Sequence, residues 1–144
     1  MNPLPPYAQF LGIEGRRSDE GELQLIMPFA DVVLGRPGFL HGGAIAALLE
    51  FAAIAAIYEA LGTREGVTVK PININVNFMR GGAQHDTIAA ATVTRLGNRV
   101  ANVEAHAWQL DRDKPIAAAQ LNVLLRRASK NQISIVPSEV EGRE

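Results

Sequence analysis

The stretch that decides the fold of this chain is GFLHGGAIAALLEFAAIAAIYEALG, residues 38–62. It starts with a glycine-rich turn, continues into an alanine-rich apolar segment and stops at a glycine, which is the pattern of a helix with a C-terminal cap. Residues 44–61 would be apolar on every side of that helix, so lipid or the rest of a folded domain must enclose it. The segment is short for a membrane span, which needs about 20 apolar residues, and it contains Glu50. The pattern therefore predicts a buried central helix.

Glu50 is the exception within this apolar helix. Its neighbours three and four positions away are apolar, so no basic side chain on the same helix can pair with it. A carboxylate removed from water is a candidate for acid-base or nucleophilic chemistry. The alternative is a carboxylate that reaches solvent through a gap or pairs with an arginine elsewhere, and the helix alone leaves both interpretations open.

The tripeptide His41-Gly42-Gly43 stands where the first helical turn leaves backbone N–H groups without helical partners. Free amides at the positive end of a helix dipole suit an oxyanion or a phosphate, although a tight turn capped by His41 would use the same residues. Gly42 and Glu50 are eight positions apart, roughly 12 Å along a helix, whereas one reacting carbonyl needs both groups about 3 Å away. If both act, they act from different subunits, which predicts a homodimer with a shared site.

Composition limits the remaining possibilities. A chain of 144 residues is expected to form a single domain, here residues 1–126, followed by a loosely held tail, residues 127–144. A net charge of -1 without basic stripes gives no support to nucleic-acid or membrane binding. The chain has no cysteine, its three histidines lack metal-ligand spacing, and its serines form no nucleophile elbow, so we expect no metal and no serine triad. The N-terminus lacks the pattern of a secretory signal, and we expect a cytoplasmic protein.

The rest of the chain reads as a sheet around the helix. After a short helix at residues 7–11, strands are predicted at residues 22–29, 70–79, 87–95, 99–110 and 115–126. In the second of these, Ile72, Ile74, Val76 and Phe78 alternate with asparagines, so the apolar face should meet the helix and the other should be polar. Turn-rich connections predict a meander of long antiparallel strands, which would curl around the central helix in an α+β fold.

The whole pattern resembles the hot-dog fold, and more narrowly the acyl-CoA thioesterases of the phenylacetate-degradation type. The residues that carry the resemblance are LHGGAIAALLE (residues 40–50), ININVNFMRGG (residues 72–82) and RLGNRVANVEAHAWQLDRDKPIAAA (residues 95–119). The resemblance implies that the Gly42 N–H polarises the thioester carbonyl, with His41 and Gly43 building the loop. It also implies that Glu50 of the partner subunit attacks the carbonyl or activates water, in a homodimer or homotetramer, without a cofactor.

Two positions depart from the family pattern. Gly35 stands where many members have an asparagine or glutamine, and Pro71 stands where a serine or threonine is common, with Thr68 nearby. Candidate walls of the acyl pocket are Phe39, Leu40, Phe51 and Ile54. For the coenzyme A phosphates, the candidates are Arg36, Lys70, Arg80 and Arg99, and the acyl group itself is not predicted.

The leading hypothesis is hydrolysis of an acyl-CoA thioester. Its alternative is a non-catalytic protein that binds acyl-CoA or an acyl carrier, which the two departures favour. A hydratase or dehydratase on the same fold is a weaker third possibility, because such relatives use a differently placed Asp and His pair.

Overall fold

The computed structural model describes residues 4–128. It contains one long helix and a six-stranded antiparallel sheet that packs around it. In chain order the elements are α1 (Pro6–Phe10), β1 (Glu14–Arg17), β2 (Leu23–Met27), a 3-10 turn (Asp31–Val33), α2 (Gly42–Leu61), β3 (Val67–Phe78), β4 (Thr87–Leu96), β5 (Val100–Trp108) and β6 (Ala117–Arg127). The expected α+β hot-dog architecture is confirmed.

Helix α2 forms the centre of the core. Leu48, Leu49 and Ile57 are fully buried against the sheet. The helix ends at Gly62, which takes a left-handed conformation (φ 71°) and donates its N–H to the carbonyls of Tyr58 and Glu59. By length and composition α2 could cross a membrane, but nine of its 20 residues are buried within the domain.

The sheet order is β1-β2-β4-β5-β6-β3. The predicted meander is confirmed for β4, β5 and β6, but β3 pairs with β6 and β4 pairs with β2. The segment between β3 and β4 is therefore a crossover rather than a hairpin, and it passes the start of α2, where the Leu40 N–H donates to the Gly82 carbonyl at 3.1 Å. Turn residues such as Gly81 and Gly82 mark a change of direction, but they do not specify which strand comes next in the sheet.

Strand β1 is an element that the sequence pattern did not predict. Its residues, Glu14-Gly15-Arg16-Arg17, show no alternation of apolar and polar side chains. The strand exists because it pairs with β2 along its whole length. A short polar edge strand needs only its backbone hydrogen bonds, and these leave no signal in side-chain periodicity.

Strand β3 forms the other edge of the sheet, and its apolar face is only partly covered. A bulge between Pro71 and Asn73 takes Ile72 out of the predicted alternation, and Ile72 is 56% exposed. Ile74 and Phe78 are also exposed, whereas Val76 is half-buried. The expectation that all four residues would face the helix is therefore wrong for Ile72. The other three are covered by the helix only in part, because one helix cannot cover a curved sheet to its edge.

The outward face of β3 is polar, as predicted. The Asn122 side-chain amide donates to the Asn73 side-chain oxygen at 2.9 Å, and Asn102 donates to Asn122. These asparagines form a ladder across β5, β6 and β3.

The predicted tail began at residue 127, but Arg127 still belongs to β6, and residues 129–144 lie outside the described part of the chain.

Candidate active site

The N-terminus of α2 is shaped by His41. This residue is the N-cap, with an extended backbone (φ -71°, ψ 133°), and its Nδ1 atom accepts the Gly43 N–H at 2.8 Å. Its carbonyl accepts from the N–H groups of Ala44 and Ile45. An accepting Nδ1 carries no proton, so the imidazole proton of neutral His41 is on Nε2. His41 thus satisfies three of the donors that open the helix.

The Gly42 N–H is the donor that remains. Within residues 4–128 it has no hydrogen-bond acceptor. It lies at the positive end of a 20-residue helix, where a partial negative charge is stabilised. The structure therefore presents one oriented backbone donor of the kind that binds a developing oxyanion. The Gly43 N–H is already engaged by His41.

One aromatic ring lies against the glycine that carries this donor, and a second packs in the loop that precedes α2. A Cβ atom added to Gly42 would come within 3.3 Å of the Phe78 ring, so the ring lies directly against the glycine. The Phe39 ring packs against Gly81, and the Arg36 guanidinium lies over this ring, 4.2 Å from its centroid. Both rings are partly exposed, at 56% for Phe78 and 38% for Phe39. The donor thus lies beside an open apolar surface.

Glu50 is half-buried, as are Ala46 and Ile54, which lie one turn before it and one turn after it on the same face of α2. Its carboxylate makes no ion pair and no hydrogen bond with any side chain or amide of residues 4–128. No buried side-chain oxygen in this part of the chain lacks a partner, so the unpartnered Glu50 oxygens are not fully enclosed. The prediction of a helix buried on every side is therefore wrong on this face: Glu50 points to an opening rather than into the core.

The continuous helix fixes the distance between the two candidate groups. Gly42 and Glu50 belong to the same unbroken α2, so the separation of roughly 12 Å along the axis holds within one chain. A single chain therefore does not bring Glu50 to its own Gly42.

The other predicted pocket residues lie just before α2 or along it. Leu40 is buried, at 8% exposed, and packs closely against Gly82, so its side chain belongs to the core. Ile54 lies one turn after Glu50 on the same face and is half-buried. Phe51 is half-buried and contacts Tyr7 of α1, with ring centroids 6.3 Å apart. Phe51 and Ile54 therefore flank Glu50, whereas Phe39 lies at the Gly42 end.

Thr68 and Arg80 lie at opposite ends of β3. Thr68 is exposed and pairs with Arg126, far from the start of α2 in the same chain. Arg80 follows the strand at the Gly42 end, and its N–H donates to the Ile116 carbonyl. Only Arg80 is thus near the free amide of its own chain.

Gly35 lies against His41. A Cβ added to Gly35 would be 3.2 Å from the His41 Cα atom, so a side chain at this position would meet the capping residue. Pro71 is half-buried on β3 at the bulge. Of the two departures from the family pattern, Gly35 therefore lies beside the residue that caps α2.

Phe78 is the site residue that sequence analysis missed. Alternation placed it on the apolar face of β3, which suggested a core residue. Nothing in the local sequence indicates that β3 is an edge strand or that its last residue touches Gly42.

Among residues 4–128, no group of three His, Asp or Glu side chains could hold a metal ion.

Comparison with known proteins agrees with this geometry. Residues 37–116 match the model of the thioesterase superfamily. An inferred esterase of Halobacterium salinarum is 33% identical over 98 residues, which are 66% of this chain and 64% of that protein. The chain thus spans slightly less than two thirds of that relative's length.

Two solved structures share the fold. The first is an inferred thioesterase from Ralstonia eutropha that is described as related to phenylacetic acid degradation. It is 26% identical, with a TM-score of 0.71 over 85% of this chain and 92% of that one. A protein from Bacillus halodurans, crystallised with CoA, has a TM-score of 0.76 over 88% and 82%, at 19% identity. With its free helix amide, its unpaired carboxylate and these matches, the chain belongs to the thioesterase superfamily and has the hot-dog fold.

Proposed function

We propose that this protein hydrolyses an acyl-CoA thioester to a free acid and coenzyme A. The observation that carries the proposal is the unpaired Gly42 N–H at the start of α2. The unpaired Glu50 supplies a second reactive group. The superfamily match supports thioester hydrolysis, and the relative described with CoA supports the choice of coenzyme A as the carrier.

In the proposed reaction, the thioester carbonyl oxygen accepts the Gly42 N–H. Glu50 takes a proton from water, the water oxygen bonds to the carbonyl carbon, and negative charge gathers on the carbonyl oxygen, where the amide stabilises it. The C–S bond then breaks, and the proton passes to the leaving sulfur. Direct attack by Glu50 is the other route. The carboxylate oxygen bonds to the carbonyl carbon, the C–S bond breaks, and the released thiolate takes a proton from solvent. Water then hydrolyses the acyl-Glu50 anhydride to the free acid and the Glu50 carboxylate.

The proposal requires a homodimer in which Gly42 of one subunit meets Glu50 of the other. Strand β3 is the edge that fits this role, because it ends the sheet and exposes an apolar surface at Ile72, Ile74 and Phe78. Two copies related by a two-fold axis would pair their β3 strands in antiparallel fashion. A homotetramer made from two such dimers, and a cytoplasmic location, remain predictions.

The first test measures thiol release from short, long and aryl acyl-CoAs by the wild type and by Glu50→Gln. We expect the substitution to lower kcat by at least about 100-fold, which is the scale of general acid-base catalysis. The matched control is Glu59→Gln on the same helix, whose carboxylate is paired with Arg17. Equal rates for wild type and Glu50→Gln would remove Glu50 from the mechanism.

The second test concerns subunit sharing. Gly42→Pro removes the candidate oxyanion donor and Glu50→Gln removes the carboxylate, so each homodimer should be inactive. In a mixed dimer, one of the two shared sites has both groups intact. Statistical mixing should therefore restore about a quarter of the wild-type activity. No recovery in a mixed dimer verified by mass, or a wild-type mass near 15.5 kDa by light scattering, would contradict the shared site.

A second candidate function is acyl-CoA or acyl-carrier binding without turnover. Gly35 favours it, because the position that abuts His41 has no side chain to orient a water molecule or a carboxylate. Binding of intact acyl-CoA with no thiol release across the whole panel would establish this function instead.

A further inference from the structure

The connection between β3 and β4, residues 79–86, which we call the crossover segment, lies against the loop that leads into α2. It has no regular secondary structure. A Cβ added to Gly82 would come within 2.6 Å of the Leu40 side chain, and one added to Gly81 within 3.2 Å of the Phe39 ring. Two residues without side chains therefore allow this close approach. The Gly82 carbonyl also accepts the Leu40 N–H at 3.1 Å, so the crossover segment forms one wall of the turn before α2.

This contact reaches the Gly42 N–H through the two residues that precede it. Leu40 comes directly before His41, the N-cap of α2. The N–H groups of both residues are bonded to backbone carbonyls outside the helix, at 3.1 and 2.8 Å. Phe78, the residue before the crossover segment, lies against Gly42 itself. Because the Gly42 N–H has no acceptor within residues 4–128, its direction depends on how these neighbours are held.

The side chain of Gln109, the residue directly after β5, is bonded to the crossover segment. Its Oε1 atom accepts the Ala83 N–H at 2.9 Å, and its Nε2 atom donates to the carbonyls of Ala83 and His85 at 3.0 and 3.1 Å. Nε2 is also 3.3 Å from the Thr87 hydroxyl oxygen at the start of β4. Ala83 and His85 are exposed, so hydrogen bonds rather than apolar packing hold this part of the chain.

The two ends of the crossover segment are held by other groups. At its start the Arg80 N–H donates to the Ile116 carbonyl, and at its end the Asp86 carboxylate accepts the Phe29 N–H at 3.0 Å. Between these points, Gln109 is the one side chain of residues 4–128 that is hydrogen-bonded to the backbone of the segment. The middle of the segment, which carries the contact with the turn before α2, therefore depends on this single amide.

We propose that Gln109 is a positioning residue for thioester hydrolysis, because it holds the crossover segment against Leu40 and thereby orients the Gly42 N–H. This inference rests on the proposed function, since it assumes that the Gly42 N–H donates to the substrate carbonyl. Gln109 itself does not touch the substrate; it acts through Gly82 and Leu40. A donor that is turned away from the developing oxyanion stabilises the transition state less. The role of Gln109 therefore concerns kcat rather than KM.

The kinetic test starts from Gln109→Leu, which removes every hydrogen bond of this side chain and keeps a similar volume. We expect kcat to fall by about 10- to 100-fold with an unchanged KM, because a misplacement of about 1 Å can cost up to about 10²-fold in rate. The matched control is Gln120→Leu on β6, whose exposed side chain has no hydrogen bond within residues 4–128. It should keep the wild-type kcat. An unchanged kcat in Gln109→Leu, or a change in KM alone, overturns the proposal.

A double-variant cycle separates positioning of the donor from a general structural role. In a Gly42→Pro protein there is no N–H to orient, so adding Gln109→Leu should lower kcat no further. A residue that only stabilised the domain would lower kcat by the same factor in both backgrounds. Equal factors in the wild-type and Gly42→Pro proteins therefore overturn the proposal.

Gly82→Ala disturbs the same contact from the other side. Its added Cβ would be 2.6 Å from the Leu40 side chain, so the crossover segment must shift although Gln109 is intact. We expect the same fall in kcat as in Gln109→Leu, again absent in the Gly42→Pro background. This variant tests the route through Leu40 even if Gln109→Leu does not fold, and a wild-type kcat in Gly82→Ala overturns that route.

Amide hydrogen exchange without substrate separates this proposal from the proposed function. The Leu40 N–H, which is bonded to the Gly82 carbonyl, should exchange faster in Gln109→Leu than in the wild type. The amides of Leu48 and Val103, in the buried centre of the domain, should exchange at the same rate in both proteins. This result stands even if no thioester is hydrolysed, in which case only the proposed function fails. Equal exchange of the Leu40 N–H in both proteins, or faster exchange of all three amides, overturns the positioning role.

Discussion

The two halves of helix α2 differ in how their polar groups are used. In the N-terminal half, the Gly42 N–H and the Glu50 carboxylate have no partner within residues 4–128. In the C-terminal half, Glu59 pairs with Arg17 and the Gly62 N–H is bonded to two carbonyls. Both halves of the helix are apolar. The difference therefore separates polar groups whose bonds stabilise the fold from polar groups that are available to bind a ligand.

The contrast between Glu50 and Glu59 is the clearest part of this comparison. They are nine residues apart, about 2.5 helical turns, and therefore lie on opposite faces of α2. Glu59 faces the side where Arg17 of β1 can reach it. Glu50 lies on the other face, and no cation of residues 4–128 pairs with it. A carboxylate that stabilises the fold is paired, and one that is free to react is not.

The largest effect is expected at Gly42. Gly42→Pro removes the free N–H, and proline is tolerated at the first helical position after an extended residue such as His41. Loss of one oxyanion donor should lower kcat by about 10²- to 10³-fold. Thiol release from the best acyl-CoA substrate measures it.

The control for this change is Gly42→Ala. It keeps the N–H and places a methyl group 3.3 Å from the same Phe78 ring. The alanine variant should therefore retain much more activity than the proline variant. If the two lose activity equally, crowding against Phe78 and not the lost donor is responsible, and the N-terminal half of α2 loses its proposed role.

At the other end of the helix, Gly62→Ala should affect stability alone. Gly62 has φ 71°, and a Cβ added there would meet no atom within 4 Å, so the cost is purely conformational. An L-residue in the left-handed region costs about 1–2 kcal/mol. Chemical denaturation should show this loss of unfolding free energy with unchanged kcat, and a loss of kcat in the folded variant would refute the division between the two halves.

Glu59→Gln should have a smaller effect on stability. The Arg17 and Glu59 side chains are 52% and 44% exposed, and such surface pairs contribute less than about 1 kcal/mol. The free energy of unfolding of Glu59→Gln is measured by denaturation alongside that of Glu50→Gln. Glu59→Gln should lose a little stability and no activity, and Glu50→Gln should lose activity with no loss of stability.

The smallest effect concerns pH. Arg112 donates two hydrogen bonds to Glu22, at 2.7 and 2.8 Å, and these bonds lower the pKa of Glu22 from 4.5 to about 2. Because the folded-state pKa is the lower one, the stabilisation is present above about pH 4.5 and is lost as the pH falls toward 2. Solvent around this partly exposed pair keeps the effect below about 1 kcal/mol. Glu22→Gln should remove that part of the pH dependence of unfolding, and an unchanged acid profile would show that the pair is not coupled to folding.

The candidate site shows how far sequence patterns reach. The spacing from His41 to Glu50 and the glycines between them were enough to predict the helix start, its donor and its carboxylate, because these features are local and repeat with the helical period. Phe78 could not be found in this way, since its contact with Gly42 depends on where β3 lies in the sheet.

For the fold, the sequence by itself determined a central apolar helix, antiparallel strands around it and a polar outer face, because side-chain periodicity and turn chemistry are local properties. Only the tertiary structure decided that β3 leaves its neighbour in sequence to pair with β6, that β1 exists, and that Glu50 faces an opening rather than the core. Strand order and edge position depend on backbone pairing between residues distant in sequence. A strand forms the same backbone hydrogen bonds with any neighbouring strand. For this reason no single stretch of residues specifies which strands pair.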